Sequence, residues 1–330
     1  MALLPFGQIL DDIEAAPPTQ ESEFTADLSR RILRYQDRDG IRHALRAIAA
    51  DDNYSFEQRF RALYALHIHL RRYKDLGQLS EVTSLYRDTF YRHPMWPFVE
   101  SMTLFYCDQS PRDLRTAEKL ARRALEQFPD HYFVLAHTAM VSARRLAREG
   151  VRRPREVNEA IHLANRALQL SNERYARFWG VLAELLIISG RFDEADDAIS
   201  RAIELEDSSA SDYAVRLSDY QMLRIDSQVS RHREALERSQ AKAIKRLDQV
   251  RSETLGLLGL LAAVIAFLVT SVQLTTRLNF YDGSRLLIIS GGVIVVVFSA
   301  YSITFQVGGL ARKAAVALLG FAAIVGGLVL

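Results

Sequence analysis

The chain has 330 residues, a formal net charge of +2 and a single cysteine, Cys107, which excludes an intrachain disulfide. The near-neutral average conceals a division, because residues 1–253 are rich in charge whereas residues 254–330 are almost entirely apolar. Such a division excludes a simple soluble protein. The charged part is long enough for one or two soluble domains.

The N-terminal residues 1–21 are predicted to form a flexible tail. Met1–Leu10 is apolar, but it contains Pro5 and Gly7 and has neither a basic segment nor a clear cleavage site. Secretory signal peptides need a basic segment and a cleavage site. We therefore expect that this terminus does not direct secretion.

Residues 22–220 contain a spaced pattern of small residues that recurs along the chain. Its equivalent positions, Val82, Ala117, Ala160 and Ala195, lie 35, 43 and 35 residues apart. A unit of about 34 residues with one insertion near Gly150 accounts for this spacing. The clearest copy consists of Trp179, Leu182, Ala183, Leu186, Ala195, Ile199 and Ala202.

This pattern resembles the tetratricopeptide repeat, in which W-x2-L-G-x2-Y is followed by A-x3-F and a proline. Ala183 stands at the glycine position, Leu186 at the tyrosine position and Ile199 at the phenylalanine position. The resemblance implies helix pairs that stack into a solenoid, since one pair cannot bury its apolar face alone. The expected fold class is all-α, with a repeat solenoid, a long connecting helix and three transmembrane helices.

In tetratricopeptide-repeat proteins the first helix of each pair lines a groove that binds peptides or partner helices. The resemblance assigns ten residues to this groove: His67, Arg71, Lys74, Met102, Phe105, Phe133, His137, Met140, Arg177 and Glu184. They are apolar residues with scattered cations and do not match the carboxylate clamp of heat-shock co-chaperones. We expect a protein partner, although the alternative that about half of these residues only face solvent stays open.

Six arginines between positions 144 and 155 form a second candidate site, near the insertion between repeats: Arg144, Arg145, Arg148, Arg152, Arg153 and Arg155. Such a cluster can bind a phosphate group of a nucleotide, a nucleic acid or a lipid. No aromatic residues are interleaved with it, so nucleic acid is not the expected partner. The alternative is a solvated loop that is partly paired with Glu149 and Glu156.

No catalytic constellation is visible in the sequence. His67 and His69 are two residues apart on a predicted helix and therefore face different sides. There is no cysteine pair, HExxH motif, nucleophile elbow or phosphate-binding loop. We expect a protein that is not an enzyme and needs no cofactor or metal.

Residues 221–253 contain no glycine or proline and predict one long amphipathic helix leading to the membrane. Met222, Val229, Leu236, Ala243 and Val250 recur every seven residues, but the second seam position of the heptad is mostly polar. This pattern predicts weak docking or oligomerisation. The basic face of the helix can also lie near anionic lipid headgroups.

Residues 254–330 contain three apolar segments that predict transmembrane helices. Leu255–Leu274 and Leu286–Phe305 have 20 uncharged residues each, and Ala314–Leu330 has 17. About 20 helical residues cross the hydrocarbon core of a bilayer. Basic residues before the first segment place the N-terminal domain in the cytoplasm by the positive-inside rule. The chain is therefore predicted to be a multi-pass protein of the cytoplasmic (inner) membrane.

Two functions follow from this organisation. The first is a membrane-anchored scaffold that binds a protein partner in its groove. The alternative comes from the layout of a charged helix followed by glycine-containing spans, which is similar to the membrane tails of bacterial defence-associated effectors. That similarity implies a homo-oligomeric, pore-forming effector, gated by the repeat domain, in bacterial antiviral (anti-phage) defence.

Overall fold

The computed structural model describes residues 6–107, 110–150, 153–208, 213–275, 279–304 and 310–329, and this part of the chain is all α-helical. The all-α part of the predicted fold class is therefore confirmed. The chain divides into two compact units, Met1–Glu234 and Ala235–Leu330. The helices of the first unit are α1 (Phe6–Glu14), α2 (Phe24–Leu33), α3 (Arg38–Ala50), α4 (Phe56–Arg72), α5 (Leu76–Leu85), α6 (Arg87–Phe90), α7 (Trp96–Cys107), α8 (Pro111–Gln127), α9 (Tyr132–Glu149), α10 (Pro154–Leu170), α11 (Ala176–Ser189) and α12 (Phe192–Glu204).

Helix α1 corrects the prediction of a flexible tail over residues 1–21, of which Met1–Pro5 lie outside the described residues. Ile9 and Ile13, one helical turn apart, are fully buried against the following helices. Asp12 beside them accepts a hydrogen bond of 2.5 Å from Tyr35 Oη. The prediction was wrong because a helix this short is stabilised by tertiary contacts that its own sequence pattern does not reveal.

Capping residues in the sequence determine where several helices begin and end. Ser55 and Gln58 form a capping box at the start of α4. Ser110 caps α8, whose first residue is a proline that has no amide hydrogen to satisfy. Gly150 and Gly190 end α9 and α11 with left-handed φ values of 64° and 80°, which glycine adopts without steric strain.

From α4 onward the helices pack in consecutive pairs, α4 with α5, α7 with α8, α9 with α10 and α11 with α12. The first helices of successive pairs also contact one another, from α4 to α7, α9 and α11. Ala117, Ala121 and Ala124 of α8 are fully buried, and they allow the paired backbones to approach closely. The structure therefore confirms the prediction of paired helices in the soluble part.

Helix α13 (Tyr213–Thr275) is continuous, so the predicted connecting helix and first span form a single element. In the first unit, the Tyr220 ring lies against Gly180 of α11, where a Cβ atom would come within 2.8 Å of Tyr220 Cε1. Tyr220 Oη donates a 2.9 Å hydrogen bond to Glu206. Arg231 Nη2 lies 2.8 Å from an Asp196 carboxylate oxygen of α12. This first part of α13 thus packs on the last helix pair.

The second unit contains the remainder of α13, α14 (Phe280–Thr304) and α15 (Leu310–Val329). By length and composition, α13 and the segment Tyr281–Ser299 of α14 can cross a membrane. The described apolar segment Val316–Gly326 of α15 is shorter, so the third span stays a prediction. Phe305 and Leu330, at the predicted ends of two spans, lie outside the described residues.

Candidate functional site

The first helices α4, α7, α9 and α11 form a common surface, which we call the first-helix face. Its apolar floor consists of Met102, Phe105 and Met140, all buried. Polar side chains surround this floor at the surface: Arg71, Tyr106, Arg144, Arg177 and Glu184. Six of the ten predicted groove residues are among these eight residues. The structure therefore places those six side chains on one surface.

Two arginines from different helix pairs converge on Tyr106. Arg177 donates a hydrogen bond to Tyr106 Oη, and its guanidinium carbon lies 5.6 Å from the centre of the ring. The guanidinium of Arg71 lies 5.4 Å from the same ring. These distances are in the range of cation–π contacts. Tyr106 therefore holds together two cations that are 106 positions apart in the sequence.

Neither of these arginines has a carboxylate within ion-pair distance among the described residues. Arg71 Nη1 lies 3.1 Å from Met102 Sδ, and Arg177 Nη2 lies 3.6 Å from Met140 Sδ. Thioether sulfur is a weak acceptor, so much of the donor capacity of both guanidiniums is not used in strong bonds. Burial alone raises the pKa of Tyr106, but the charges of Arg177 and Arg71 outweigh it and hold that pKa below the ordinary tyrosine value.

The other end of the first-helix face carries charges of both signs. Arg144 Nε lies 3.6 Å from Glu184 Oε1, and the Arg144 guanidinium lies 5.8 Å from the centre of the Phe105 ring. Burial raises the pKa of Glu184, the charge of Arg144 opposes this effect, and Asp226 adds to it. Positive charge on the face is therefore concentrated around Tyr106, where the charge of Asp219 acts on Arg177 but no carboxylate lies within ion-pair distance among the described residues.

Two predicted groove residues, His67 and His137, lie below the face in the protein core. His67 Nε2 is 3.1 Å from Thr83 Oγ1, and burial together with the charge of Arg71 lowers its pKa to about 3. Burial and the charges of Arg71 and Arg177 lower the pKa of His137 to about 3 as well. Both rings are therefore neutral at physiological pH and contribute to packing rather than to a binding surface.

A buried serine and histidine lie close together, but their hydrogen bonds do not suit nucleophilic catalysis. Ser101 Oγ is 2.8 Å from His137 Nε2 and donates its proton to the carbonyl oxygen of Ala117 at 2.7 Å. A histidine that activates a serine must accept the serine proton. Among the described residues, no group of three or more His, Cys, Asp or Glu side chains is placed to hold a metal ion.

Phe133 and Lys74 lie apart from the cluster around Tyr106. Phe133 packs in an aromatic group, with its ring centre 5.2 Å from that of Tyr175 and 5.5 Å from that of Phe178. Lys74 is exposed in the turn after α4, where it has a left-handed φ of 56°. Phe133 therefore has a packing role at the start of α9.

The structure does not bring the six predicted anion-binding arginines together. Arg144 lies on the first-helix face, whereas Arg145 is buried on the other side of α9 among Glu118, Glu149 and Glu156. Arg153 pairs with Glu156 at 3.0 Å. Arg148 and Arg155 are exposed, and Arg152 lies outside the described residues. The partial pairing with Glu149 and Glu156 agrees with the alternative of a solvated, ion-paired segment.

Tyr106 is the central residue that sequence reasoning missed. Its position follows Met102 by four residues, so both side chains lie on the same side of α7. This four-residue spacing could have placed Tyr106 on the groove side of α7 from the sequence alone. The convergence of Arg71 and Arg177 on Tyr106 could not be predicted from the sequence, because it depends on how three helix pairs stack.

Comparison of the chain with protein-family models gives no match, and a search of curated proteins gives none either.

Proposed function

We propose that the protein is a membrane-anchored scaffold of the tetratricopeptide-repeat type, without enzymatic activity, whose first-helix face binds a segment of a protein partner. The observation that carries this proposal is the cluster of Arg71, Tyr106 and Arg177. Two guanidiniums lie there on a phenol and two thioethers, without carboxylate partners among the described residues. Such an arrangement favours a ligand that supplies the missing negative charge.

The surroundings of the cluster favour a peptide over a small anion. Met102, Phe105 and Met140 provide an apolar floor next to the two cations. An acidic side chain of a peptide can bind the guanidiniums, while the floor residues, at most 9% exposed, offer the ligand little apolar surface. The four first helices offer further contacts along the same face. The expected ligand is therefore an acidic segment of a protein partner.

The second unit supports the anchoring part of the proposal. Large apolar side chains of α13 beyond residue 254 are exposed, among them Leu257, Leu261 and Ile265. An exposed apolar surface of this size is unfavourable in water and favourable in lipid. Lys242, Lys245, Arg246 and Arg251 precede this segment and orient it with the first unit in the cytoplasm. The proposed location is the cytoplasmic membrane.

Charge reversal on the first-helix face tests the scaffold. Full-length protein with R71E and R177E is compared with a matched control, R112E and R123E, which changes two exposed arginines of α8. Proteins captured from detergent-solubilised membranes are identified by mass spectrometry. Loss of a charge-assisted hydrogen bond weakens binding by about 1.5–3 kcal/mol, so capture should fall at least about tenfold in the first variant alone.

A peptide experiment then tests the acidic character of the ligand. The captured segment is synthesised with glutamate and, separately, with glutamine at its acidic positions, and its binding to the full-length protein is measured by calorimetry. The amide peptide should bind the unmodified chain more weakly than the acidic peptide does. On the R71E/R177E variant the order should reverse, because the two new carboxylates repel the acidic peptide. Equal capture by all protein variants, or equal binding of both peptides to the unmodified chain, contradicts the proposed site.

One observation favours the alternative function, a membrane-perturbing effector gated by the first unit. Helices α14 and α15 approach at Gly292 and Gly320, where a Cβ on Gly292 would lie 2.7 Å from the Gly320 carbonyl oxygen. A single span is sufficient for an anchor, whereas close helix packing builds a multi-helix membrane structure. The membrane potential of bacteria producing the full chain, or a chain ending at Arg251, distinguishes the two functions. Depolarisation by the full chain alone supports the effector.

A further inference from the structure

The first part of α13 leaves one of its sides uncovered. Met222, Ile225 and Val229 are between 52% and 60% exposed. On the opposite side, Ser227 is fully buried and its hydroxyl donates a 2.9 Å hydrogen bond to Asp196 of α12. Within the first unit, α13 thus has one packed side and one exposed apolar side.

The same pattern continues in the part of α13 that belongs to the second unit. Leu236, Ile244, Leu247 and Val250 are between 58% and 69% exposed. At 3.6 residues per turn, these four positions and Met222, Ile225 and Val229 fall within about one third of the helix circumference. Together they form a stripe about 42 Å long. We call this set of residues the α13 stripe.

Surface apolar residues usually occur singly, and seven of them along one side of a helix mark an interaction surface, here interrupted by His232 and Arg233 between Val229 and Leu236. We propose that the α13 stripe pairs with the same stripe of a second copy of this chain. The proposal rests on the anchoring part of the proposed function. Because α13 continues into a segment long enough to cross a membrane, two copies in one bilayer are parallel and at equal depth. Each stripe residue then faces its own equivalent across a two-fold axis.

The polar residues of the stripe fit a second copy better than an unrelated apolar partner. Gln240 lies in the same helical direction as Met222 and is exposed. In a parallel pair the two Gln240 amides are at one level, where each can donate to the other. Between Leu236 and Val250, Gln240 is the one polar residue on this side of the helix, and a polar seam residue of this kind fixes the register of paired helices. His232 lies at one edge of the stripe and Asp226 at the other, whereas Arg233 lies within it.

Cysteine cross-linking in native membranes tests the pairing. The only native cysteine is removed by C107S, and L247C is compared with K245C in the full-length chain. Both positions are exposed, but they lie on nearly opposite sides of α13. Oxidation should link L247C into dimers of twice the 37.4 kDa chain mass, whereas K245C should stay monomeric.

A second set of variants tests whether the stripe itself drives the pairing. V229C, which also lies on the stripe, is combined with either L236E and L247E or with A241E, a control away from the stripe. The dimer band of V229C should disappear in the first combination and persist in the second.

Three outcomes overturn the proposal. They are equal cross-linking of L247C and K245C, no cross-linking of either, and protection of L247C from maleimide without dimer formation, which would indicate a lipid-covered stripe. Fractionation of the same cells keeps the two proposals apart. Protein found outside the membrane fraction contradicts the anchor, while the cross-linking pattern still decides the pairing.

Discussion

The two units of this protein are built from the same kind of helix but bury opposite kinds of side chain. In the first unit, Phe60 and Tyr64 are fully buried among other large apolar groups. In the second unit, the buried side chains include Ser271 and Ser290, whose hydroxyl oxygens lie 3.1 Å apart, whereas leucines such as Leu258 are exposed. The comparison supports the proposed membrane insertion of the second unit, in which each unit is organised for a different solvent.

The physical reason lies in what drives helices together. In water, burial of apolar surface is the main favourable term, so large side chains occupy the core. In lipid, the surroundings are as apolar as leucine, and helices associate through small residues and hydroxyl hydrogen bonds. Gly292, Gly320 and the pair Ser271 and Ser290 are the residues that this second mode requires. Three changes test the contrast, taken here from the largest expected effect to the smallest.

The first change removes the buried cation of the first unit, R145A. Arg145 is buried next to the buried Glu118, to which it donates a hydrogen bond, and its Nη1 lies 3.0 Å from Glu149 Oε2. Loss of Arg145 leaves the buried Glu118 carboxylate with only Arg122, at 3.3 Å, and the Ser142 hydroxyl as partners, so the free energy of unfolding should fall by about 3 kcal/mol. Denaturant titration of the full chain in detergent, followed by tryptophan fluorescence, measures this effect. Both tryptophans, Trp96 and Trp179, belong to the first unit.

The control for this experiment is R148A, an exposed neighbour on the same helix, whose effect should stay within about 0.5 kcal/mol. The double variant E118Q/R145M removes both charges and should recover part of the lost stability. An R145A protein as stable as the unmodified chain would contradict the role of Arg145 as a buried structural cation.

The second change, G292L, disturbs the crossing of α14 and α15. A Cβ on Gly292 would lie 2.6 Å from Ile324 Cγ1 and 2.7 Å from the Gly320 carbonyl oxygen, and the backbone cannot move aside easily. Overpacking of this kind costs about 1–3 kcal/mol. The fraction of full-length protein that stays monodisperse in detergent after heating should therefore decrease.

The adjacent residue provides a matched control, since a Cβ on Gly291 meets nothing within 4 Å. G291L adds the same side chain one position away and should behave like the unmodified protein. An equal loss in both variants would contradict the close crossing at Gly292 as its cause, since leucine is the better helix former at both positions.

The third change concerns the pH dependence of the first unit, which contains buried neutral histidines. The pKa of His137 is lowered from 6.5 to about 3 by burial and by the charges of Arg71 and Arg177. Below pH 6.5 the unfolded chain binds a proton there and the native chain does not. Stability should therefore decrease as the pH falls from 6.5 towards 3, by up to about 1.4 kcal/mol per pH unit for this residue.

The variant H137Q keeps a donor for Ser101 but cannot titrate. Between pH 6.5 and pH 5, its melting temperature should fall less steeply than that of the unmodified chain. H162Q changes an exposed histidine of α10 and serves as the control with an unchanged slope. The buried neutral state of His137 would be refuted if H137Q and the unmodified chain lost stability in parallel.

The sequence alone determined the class of each region. Small residues at spacings of 35, 43 and 35 predicted paired helices, and long uncharged segments predicted α14 and the end of α13. These features depend on local periodicity and on composition, which a linear pattern carries directly. Six of the ten predicted groove residues reached the first-helix face for the same reason, because a helical spacing fixes which residues share a side.

Only the tertiary structure decided how those residues are used. It placed His67 and His137 in the core, gave Arg145 three carboxylate partners and made Tyr106 the meeting point of Arg71 and Arg177. It also distinguished Gly292 from Gly291, two glycines that are equivalent in sequence. The reason is that partners, burial and steric space depend on residues far apart in the chain, which become neighbours only when the helix pairs stack.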